Sequence, residues 1–212
     1  MFKTVSVVAV VLGAASPALA ADFAGPRAEA RLGWDRTTLE VSYDDGFSSV
    51  GGKGHDDGFG LGAELGYDVK LGTTAVAGAY AGAEWASTKE CTEIYGDDEA
   101  CLKLGRNFTL GARIGAAVSP KALLYVKGGY SNGQLKATYE DFADSSYNYT
   151  DKANRGGFHV GAGAEMNVTD TGYVKLEAVR TNYKDYGTSD GTVSGQLETR
   201  RTQIVAGFGL RF

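Results

Sequence analysis

The last nine residues of the chain alternate strictly between apolar side chains and mostly small or charged ones. One face of such a strand carries only apolar side chains: Ile204, Ala206, Phe208, Leu210 and Phe212. A soluble protein rarely ends on such a strand, because its apolar aromatic terminus would lie in water and its edge would be open. In a closed membrane barrel both faces and both edges are covered. The segment therefore predicts an outer-membrane location.

The first twenty residues have the pattern of a secretory signal peptide. Lys3 supplies a positive charge, residues 5–15 form a short apolar run, and Ala18-Leu19-Ala20 is a small-residue cleavage pattern. The alternative, a retained membrane anchor, would need roughly 20 apolar residues. We expect residues 1–20 to be a cleaved signal peptide and residues 21–212 to form one domain.

The composition suits a sheet of many strands. The chain has 31 glycines, 12 tyrosines and only 3 prolines, which fits twisted strands with small residues on a crowded face. After the signal, no apolar stretch approaches the roughly 20 residues of a membrane helix. The net charge of −5 argues against nucleic acid as a partner.

Eight alternating segments can be distinguished in the rest of the chain: about 27–43, 58–69, 75–87, 104–118, 123–139, 155–168, 173–186 and 198–212. Each reaches the roughly 9–11 residues that a tilted membrane strand requires. Short connections near 70–74, 119–122 and 169–172 alternate with long ones near 44–57, 88–103, 140–154 and 184–197. Outer-membrane barrels alternate periplasmic turns and outer loops in this way. The pattern predicts an all-β fold, an eight-stranded antiparallel up-and-down transmembrane β-barrel.

The composition of the two faces predicts which one meets lipid. One face is rich in Ala, Leu, Val, Ile and Phe, and the other in glycine with scattered charges. A soluble barrel of the lipocalin type would expose the glycine-rich face to water, where bare glycine weakens strands. Aromatic residues also collect at both ends of the segments, as at the two membrane interfaces. They are Trp34, Phe59, Trp85, Phe108 and Phe158 at the long-loop ends, and Tyr67, Tyr173 and Phe212 at the short-turn ends.

Several blocks resemble the outer membrane beta-barrel protein family, in particular its small porin-like and opacity-type members, which are related to the OmpA transmembrane domain and OmpX. The similar blocks are residues 25–34, 124–130, 161–165 and 207–212. Members from alphaproteobacteria are the most similar. Family members often have Glu-Tyr-Arg-Tyr in the seventh strand, where this chain has Glu177-Ala178-Val179-Arg180. Arg180 would then face lipid unless it lies at the headgroup level.

The resemblance implies a location in the outer membrane of a Gram-negative cell and a monomeric barrel. Phe208, Leu210 and Phe212 would form the C-terminal signal for the barrel-assembly machinery. The expected partners are outer-membrane lipid and lipopolysaccharide, together with an extracellular surface partner as a further possibility. The family mixes envelope proteins, adhesins and barrels of unknown role, so it implies a fold more strongly than a function.

Charged and polar residues on the inward face are predicted to form an ion-paired network that fills the barrel, because unpaired buried charges cost several kcal/mol each. They are Glu29, Arg31, Glu64, Glu84, Arg113, Lys127, His159, Glu165, Lys175, Glu177 and Arg211. The alternative is a narrow pore lined by the same groups. The many inward glycines keep that alternative open.

Cys91 and Cys101 lie in the second long connection and predict a disulfide, since exported chains meet an oxidising compartment. Free thiols or a metal site are the alternatives, and no histidine is near in sequence. All four long connections are acidic, which indicates solvated surface, with a cation or a basic partner as the alternative. The pairs Asp44-Asp45 and Asp56-Asp57 do not match an EF-hand loop.

Catalysis has little support in the sequence. The only histidines are His55, in a loop, and His159, on the inward face, whereas a lipid hydrolase would need a histidine beside a serine or carboxylate on the lipid-facing rim. We expect no catalytic, metal or cofactor site. Three roles remain open: envelope integrity, a small-solute pore, or surface attachment through the acidic loops.

Overall fold

A computed structural model describes residues 23–44, 49–87, 89–93, 98–141, 148–183, 186–190 and 193–212. The signal peptide predicted for residues 1–20 lies outside these ranges. The strands are β1 (Gly25–Asp44), β2 (Ser49–Lys70), β3 (Ala75–Ala86), β4 (Lys89–Glu93), β5 (Asp98–Ser119), β6 (Ala122–Asp141), β7 (Tyr149–Asn167), β8 (Gly172–Tyr183), β9 (Tyr186–Asp190) and β10 (Val193–Arg211). In the part of the chain so described, no helix has the length and apolarity needed to cross a membrane.

Eight of these strands form a closed antiparallel ring, which confirms the predicted fold. Each pairs with the next along the ring, and β1 closes it by pairing with both β2 and β10. The two five-residue strands extend hairpins outside the ring, with β4 paired to β5 and β9 paired to β10.

The register of the ring determines how far the strands tilt. A path of paired residues that leaves β1 at Ala28 crosses all eight strands and returns to β1 at Thr38, ten residues further on. Ten residues are about 33 Å of strand and eight interstrand spacings are about 38 Å, so the strands tilt by about 40°. A barrel of this size has an interior that side chains can fill.

Burial alternates along the strands and shows which face is inside. Leu65 and Leu110 are 64% and 66% exposed, whereas their neighbours on the other face, such as Glu64 at 1%, are buried. The apolar face is therefore outside, as predicted. One predicted interface aromatic is wrong: Tyr173 is fully buried inside the barrel, because it falls on the inward phase of β8.

The aromatic residues of the outer end form a belt on the outward face, here called the outer aromatic belt: Trp34, Phe59, Trp85, Phe108, Tyr130 and Phe158. All of them are exposed. The guanidinium carbon of Arg36 lies 5.4 Å from the centroid of the Trp34 ring, and that of Arg106 lies 5.4 Å from the centroid of the Phe108 ring. Cations stacked directly beyond aromatic rings are typical of a membrane interface.

The alternation of β8 is uninterrupted through Arg180. Val179 is buried and Arg180 is exposed, paired on either side with Val160 and Thr202. Asn182, two residues further along, pairs with Phe158 of the outer aromatic belt. Arg180 therefore faces outward near the level of the lipid headgroups, where a cation is tolerated.

The predicted long outer loops are largely wrong. β1 and β2 pair as far as Asp44 and Ser49, and β5 and β6 pair as far as Asp98 and Asp141. The predicted segments 27–43 and 123–139 reach into these hairpins, but those of the partner strands β2 and β5 start too late, at 58 and 104. Residues 49–57 and 98–103 lack the clear apolar–polar alternation that identifies a strand. The pairing of β5 with β6 has one register shift between Leu104 and Asn107 of β5, opposite Leu135 and Gly133 of β6.

Candidate functional site: the polar interior of the barrel

Inward positions on the eight ring strands carry the polar interior. Because side chains of a strand alternate, every second residue of β1, such as Arg27, Glu29 and Arg31, enters the same space. All of the inward residues predicted from the sequence are buried there. Arg27 and Asp68 join them, although both were omitted from the predicted set.

Glu64 of β2 lies at the centre of this network. Its carboxylate accepts hydrogen bonds at 2.9 Å from Arg27 and from Arg31. Lys127 Nζ donates to the same carboxylate at 2.8 Å. Three cations from β1 and β6 thus converge on one carboxylate that is itself only 1% exposed.

Glu177 of β8 shares two of these cations and connects them to the far side of the barrel. Its carboxylate lies 2.8 Å from Arg31 and 3.1 Å from Lys127. Lys175, on the same strand, lies 3.0 Å from Glu177 and also contacts Glu29. Charges of opposite sign therefore alternate across the interior, which is the arrangement that offsets the cost of burying them.

A second group of ion pairs lies nearer the short-turn end. Arg113 donates two hydrogen bonds to Asp68, at 2.9 and 2.6 Å, and one to Glu165 at 3.0 Å. Arg211 of β10 donates to the other oxygen of Glu165 at 2.6 Å. This bidentate geometry fixes the orientation of the Arg113 side chain as well as its charge.

A third and smaller group lies nearer the outer end. Arg201 contacts Asp35 at 2.7 Å and Glu84 at 2.6 Å. The Gln203 amide donates to Glu84 at 3.0 Å. Arg201, Asp35 and Gln203 were absent from the predicted set.

His159 lies between these groups with both ring nitrogens occupied. Its Nδ1 lies 2.8 Å from Ser131 Oγ and its Nε2 lies 2.5 Å from Tyr80 Oη. All three side chains are at most 2% exposed. They line a cavity of about 20 Å³, together with residues that include Glu84 and Lys127. A cavity of this size holds about one water molecule.

Three inward tyrosines fill space left by glycines on the next strand. Tyr80 lies directly opposite Gly111, and Tyr125 opposite Gly163. In the same way Tyr173 lies opposite Gly209. A Cβ atom at any of these glycines would overlap the tyrosine ring. These three glycines thus make room for the aromatic rings, and the pairing becomes visible in the sequence only once the register is known.

Cys91 and Cys101 form the predicted disulfide. They are directly opposite one another on β4 and β5, with a Cα–Cα distance of 4.1 Å. Glu99 lies near both sulfur atoms, but sulfurs joined in a disulfide do not act as thiolate ligands for a metal. Phe208 and Leu210 lie on the outward face of β10, and the exposed Phe212 directly follows that strand. Their role as an assembly signal stays a prediction.

The family described as outer membrane protein beta-barrel domain matches residues 6–212. Among solved structures, the chain is similar to Neisserial surface protein A (11% identity, TM-score 0.47, covering 85% of this chain and 97% of that one). It is also similar to Ail, the attachment invasion locus protein of Yersinia pestis (13%, 0.42, 87% and 98%), and to the outer membrane protease OmpT from Escherichia coli (13%, 0.44, 89% and 97%). No curated protein matches the chain.

The structural likenesses are too weak to support a shared activity, whereas the family match covers nearly the whole chain. The family match agrees with the closed ring of strands and with the apolar outer face of the barrel. The chain belongs to the outer membrane protein β-barrel domain family, and its location is the outer membrane.

Proposed function

We propose that this protein is a closed, non-catalytic barrel that supports the outer membrane structurally and presents β-hairpins at the cell surface. The observation that carries the proposal is the interior network centred on Glu64 and Glu177. Its side chains come from four strands of the ring and occupy the space that a pore would need. The cavity of about 20 Å³ above them is too small for a solute larger than water.

Conductance of the purified protein in a planar lipid bilayer tests whether the barrel is closed. We expect rare or absent conductance steps from the native protein. The double variant Arg31→Ala/Lys127→Ala removes two side chains that cross the interior and serves as a positive control for an opened barrel. Frequent, reproducible steps from the native protein would overturn the proposal.

The second candidate is a narrow channel, and the cavity beside His159 is the observation that favours it. Its lining includes Thr109, Asn107 and Ser131, which are small or polar side chains able to contact water. A channel role predicts that Glu84→Gln changes the ion selectivity of native conductance. A closed barrel has no native conductance for that substitution to alter.

The non-catalytic role rests on the environment of His159. Ser131 and His159 lie within hydrogen-bond distance, as a nucleophile and base would, but Tyr80 occupies the other imidazole nitrogen. Ser131 is also fully buried, which supports a non-catalytic role. We expect His159→Gln to leave the growth and envelope properties of cells unchanged, apart from any loss of barrel stability.

A deletion strain can separate the structural role from the surface role. Loss of envelope support predicts increased sensitivity to detergent and chelator. A surface role predicts that shortening the outer hairpins abolishes attachment to other surfaces, while the heat-modifiable gel mobility of the folded barrel is retained. The structural proposal fails if deletion leaves detergent and chelator sensitivity unchanged.

A further inference from the structure

Four lysines occupy one register row across four neighbouring strands, and we call them the lysine row: Lys89, Lys103, Lys136 and Lys152. Lys89 is paired with Lys103 between β4 and β5, Lys103 with Lys136 between β5 and β6, and Lys136 with Lys152 between β6 and β7. Like charges directly opposite one another destabilise a sheet. A row of four lysines therefore indicates that an anion from outside the chain binds there and offsets the repulsion.

In the part of the sheet that the structure describes, no acidic residue stands in this register row. Among the described residues, neither Lys136 nor Lys152 forms an ion pair with an acid. The nearest row of paired acids, which contains Glu99 and Glu140, lies four residues further along β5 and β6. That separation is about 13 Å along a strand, too far for direct neutralisation.

The disulfide maintains the alignment of the row. Cys91 and Cys101 are paired two residues beyond Lys89 and Lys103, on the same two strands. The covalent bond prevents β4 from sliding along β5, so the first two lysines stay side by side.

The height of the row above the membrane identifies the environment. On β7, Lys152 lies six residues beyond Phe158 of the outer aromatic belt. With strands tilted by about 40°, that places Lys152 about 15 Å above the belt, and Lys89, four residues beyond Trp85, lies about 10 Å above it. The row itself spans about 15 Å, because neighbouring strands are about 4.8 Å apart. At this height above the outer leaflet, the surroundings of the protein are the phosphorylated sugars of lipopolysaccharide.

We propose that the lysine row binds the phosphate groups of lipopolysaccharide and so joins the outer hairpins to the surrounding lipid. The proposal deepens the proposed structural role by naming a partner and a site. It does not depend on whether the barrel conducts, so the binding test and the conductance test can fail separately.

Binding of lipopolysaccharide to the purified, detergent-solubilised protein tests the proposal. The row variant is Lys136→Gln/Lys152→Gln. Its matched control is Lys70→Gln/Lys121→Gln, which removes two exposed lysines at the opposite end of the barrel and changes the net charge equally. We expect binding to weaken about tenfold or more in the row variant and less than about twofold in the control. Heat-modifiable gel mobility verifies that both variants are folded.

A second arm uses only the native protein. Enzymatically dephosphorylated lipopolysaccharide should bind at least about tenfold more weakly than the intact form, and phosphatidylglycerol vesicles should bind weakly. Equal losses in the row variant and its control, or unchanged binding of the dephosphorylated form, would overturn the proposal. So would binding to phosphatidylglycerol vesicles or to a sulfated glycan as tight as binding to lipopolysaccharide.

Discussion

The interior and the outer hairpins place charges on neighbouring strands in opposite ways. Inside, carboxylates such as Glu64 and Glu177 lie among cations from other strands. On the hairpins, lysine is paired with lysine, and Glu99 with Glu140. Buried charges must be neutralised within the chain, because nothing else reaches them. The charges of the hairpins are accessible to partners from outside, and the proposed lipopolysaccharide site rests on this difference.

The largest effect is expected from breaking an interior pairing. Glu64→Gln keeps the shape of the side chain but leaves Arg27, Arg31 and Lys127 without their shared carboxylate. Removing one partner of a buried ion pair costs about 3–5 kcal/mol, so the free energy of unfolding should fall by about that amount. Urea unfolding in detergent micelles, followed by gel mobility, measures it. A loss below about 1 kcal/mol would mean that the interior is hydrated rather than sealed.

A charge placed on the lipid-facing side without a partner should have the next largest effect. Leu176 is 58% exposed within the apolar band, between Ala164 and Ala206 on the neighbouring strands. Leu176→Arg should cost about 2–4 kcal/mol, whereas Arg180→Leu, near the interface, should change stability by at most about 1 kcal/mol. Unfolding from lipid vesicles compares the two. Equal effects would contradict the assignment of Arg180 to the headgroup level.

Reversing one charge of the lysine row should stabilise the free protein. Lys136→Glu places a carboxylate between Lys103 and Lys152 and replaces two repulsive cross-strand pairs with attractive ones. We expect a gain of about 0.2–1 kcal/mol in detergent without lipopolysaccharide. Lys70→Glu is the matched control, and it should give no comparable gain. A destabilised Lys136→Glu variant would show that the row is not self-repelling.

The smallest effect is expected at an exposed ion pair above the outer aromatic belt. Arg36 donates two hydrogen bonds to Asp57, at 2.7 and 2.8 Å, and these hold the pKa of the Asp57 carboxyl below its ordinary value. A lowered pKa stabilises the fold above the unfolded-state pKa, and that contribution is lost as the pH falls through the folded-state pKa. Since both side chains are exposed, Asp57→Asn should not measurably change unfolding at pH 7. A clear loss of stability at that pH would indicate a more buried pair.

Strand alternation predicted most of the inward charges, because a period of two assigns each residue to one face, although the predicted set omitted Arg27 and Asp68. Glu29, Glu64 and Lys175 were found inside for this reason. Their partners could not be predicted, since a contact such as Arg31–Glu177 depends on how far the register advances around the ring.

Prediction from the sequence pattern fails for an inward tyrosine and for parts of the outer hairpins. Tyr173 was assigned to an interface because aromatic residues are common there, but its hydrogen bond to Glu29 needs an inward position. The first residues of β2 and β5, 49–57 and 98–103, have no clear period of two, so the sequence pattern did not reveal them as strands. The lysine row in turn becomes visible only when Lys89, Lys103 and Lys152 are aligned by pairing, because they are far apart along the chain.

The seam between β1 and β10 has a consequence for biogenesis. The two strands pair from Arg27↔Arg211 to Asp44↔Ser194, and the Phe212 amide donates to the Pro26 carbonyl at 2.9 Å. These are the first and last strands of the ring in chain order, so β1 keeps an unsatisfied hydrogen-bonding edge until β10 is in place. That edge must therefore be protected during insertion into the membrane. The barrel closes in a late step in which β10 pairs with β1, two strands far apart along the chain.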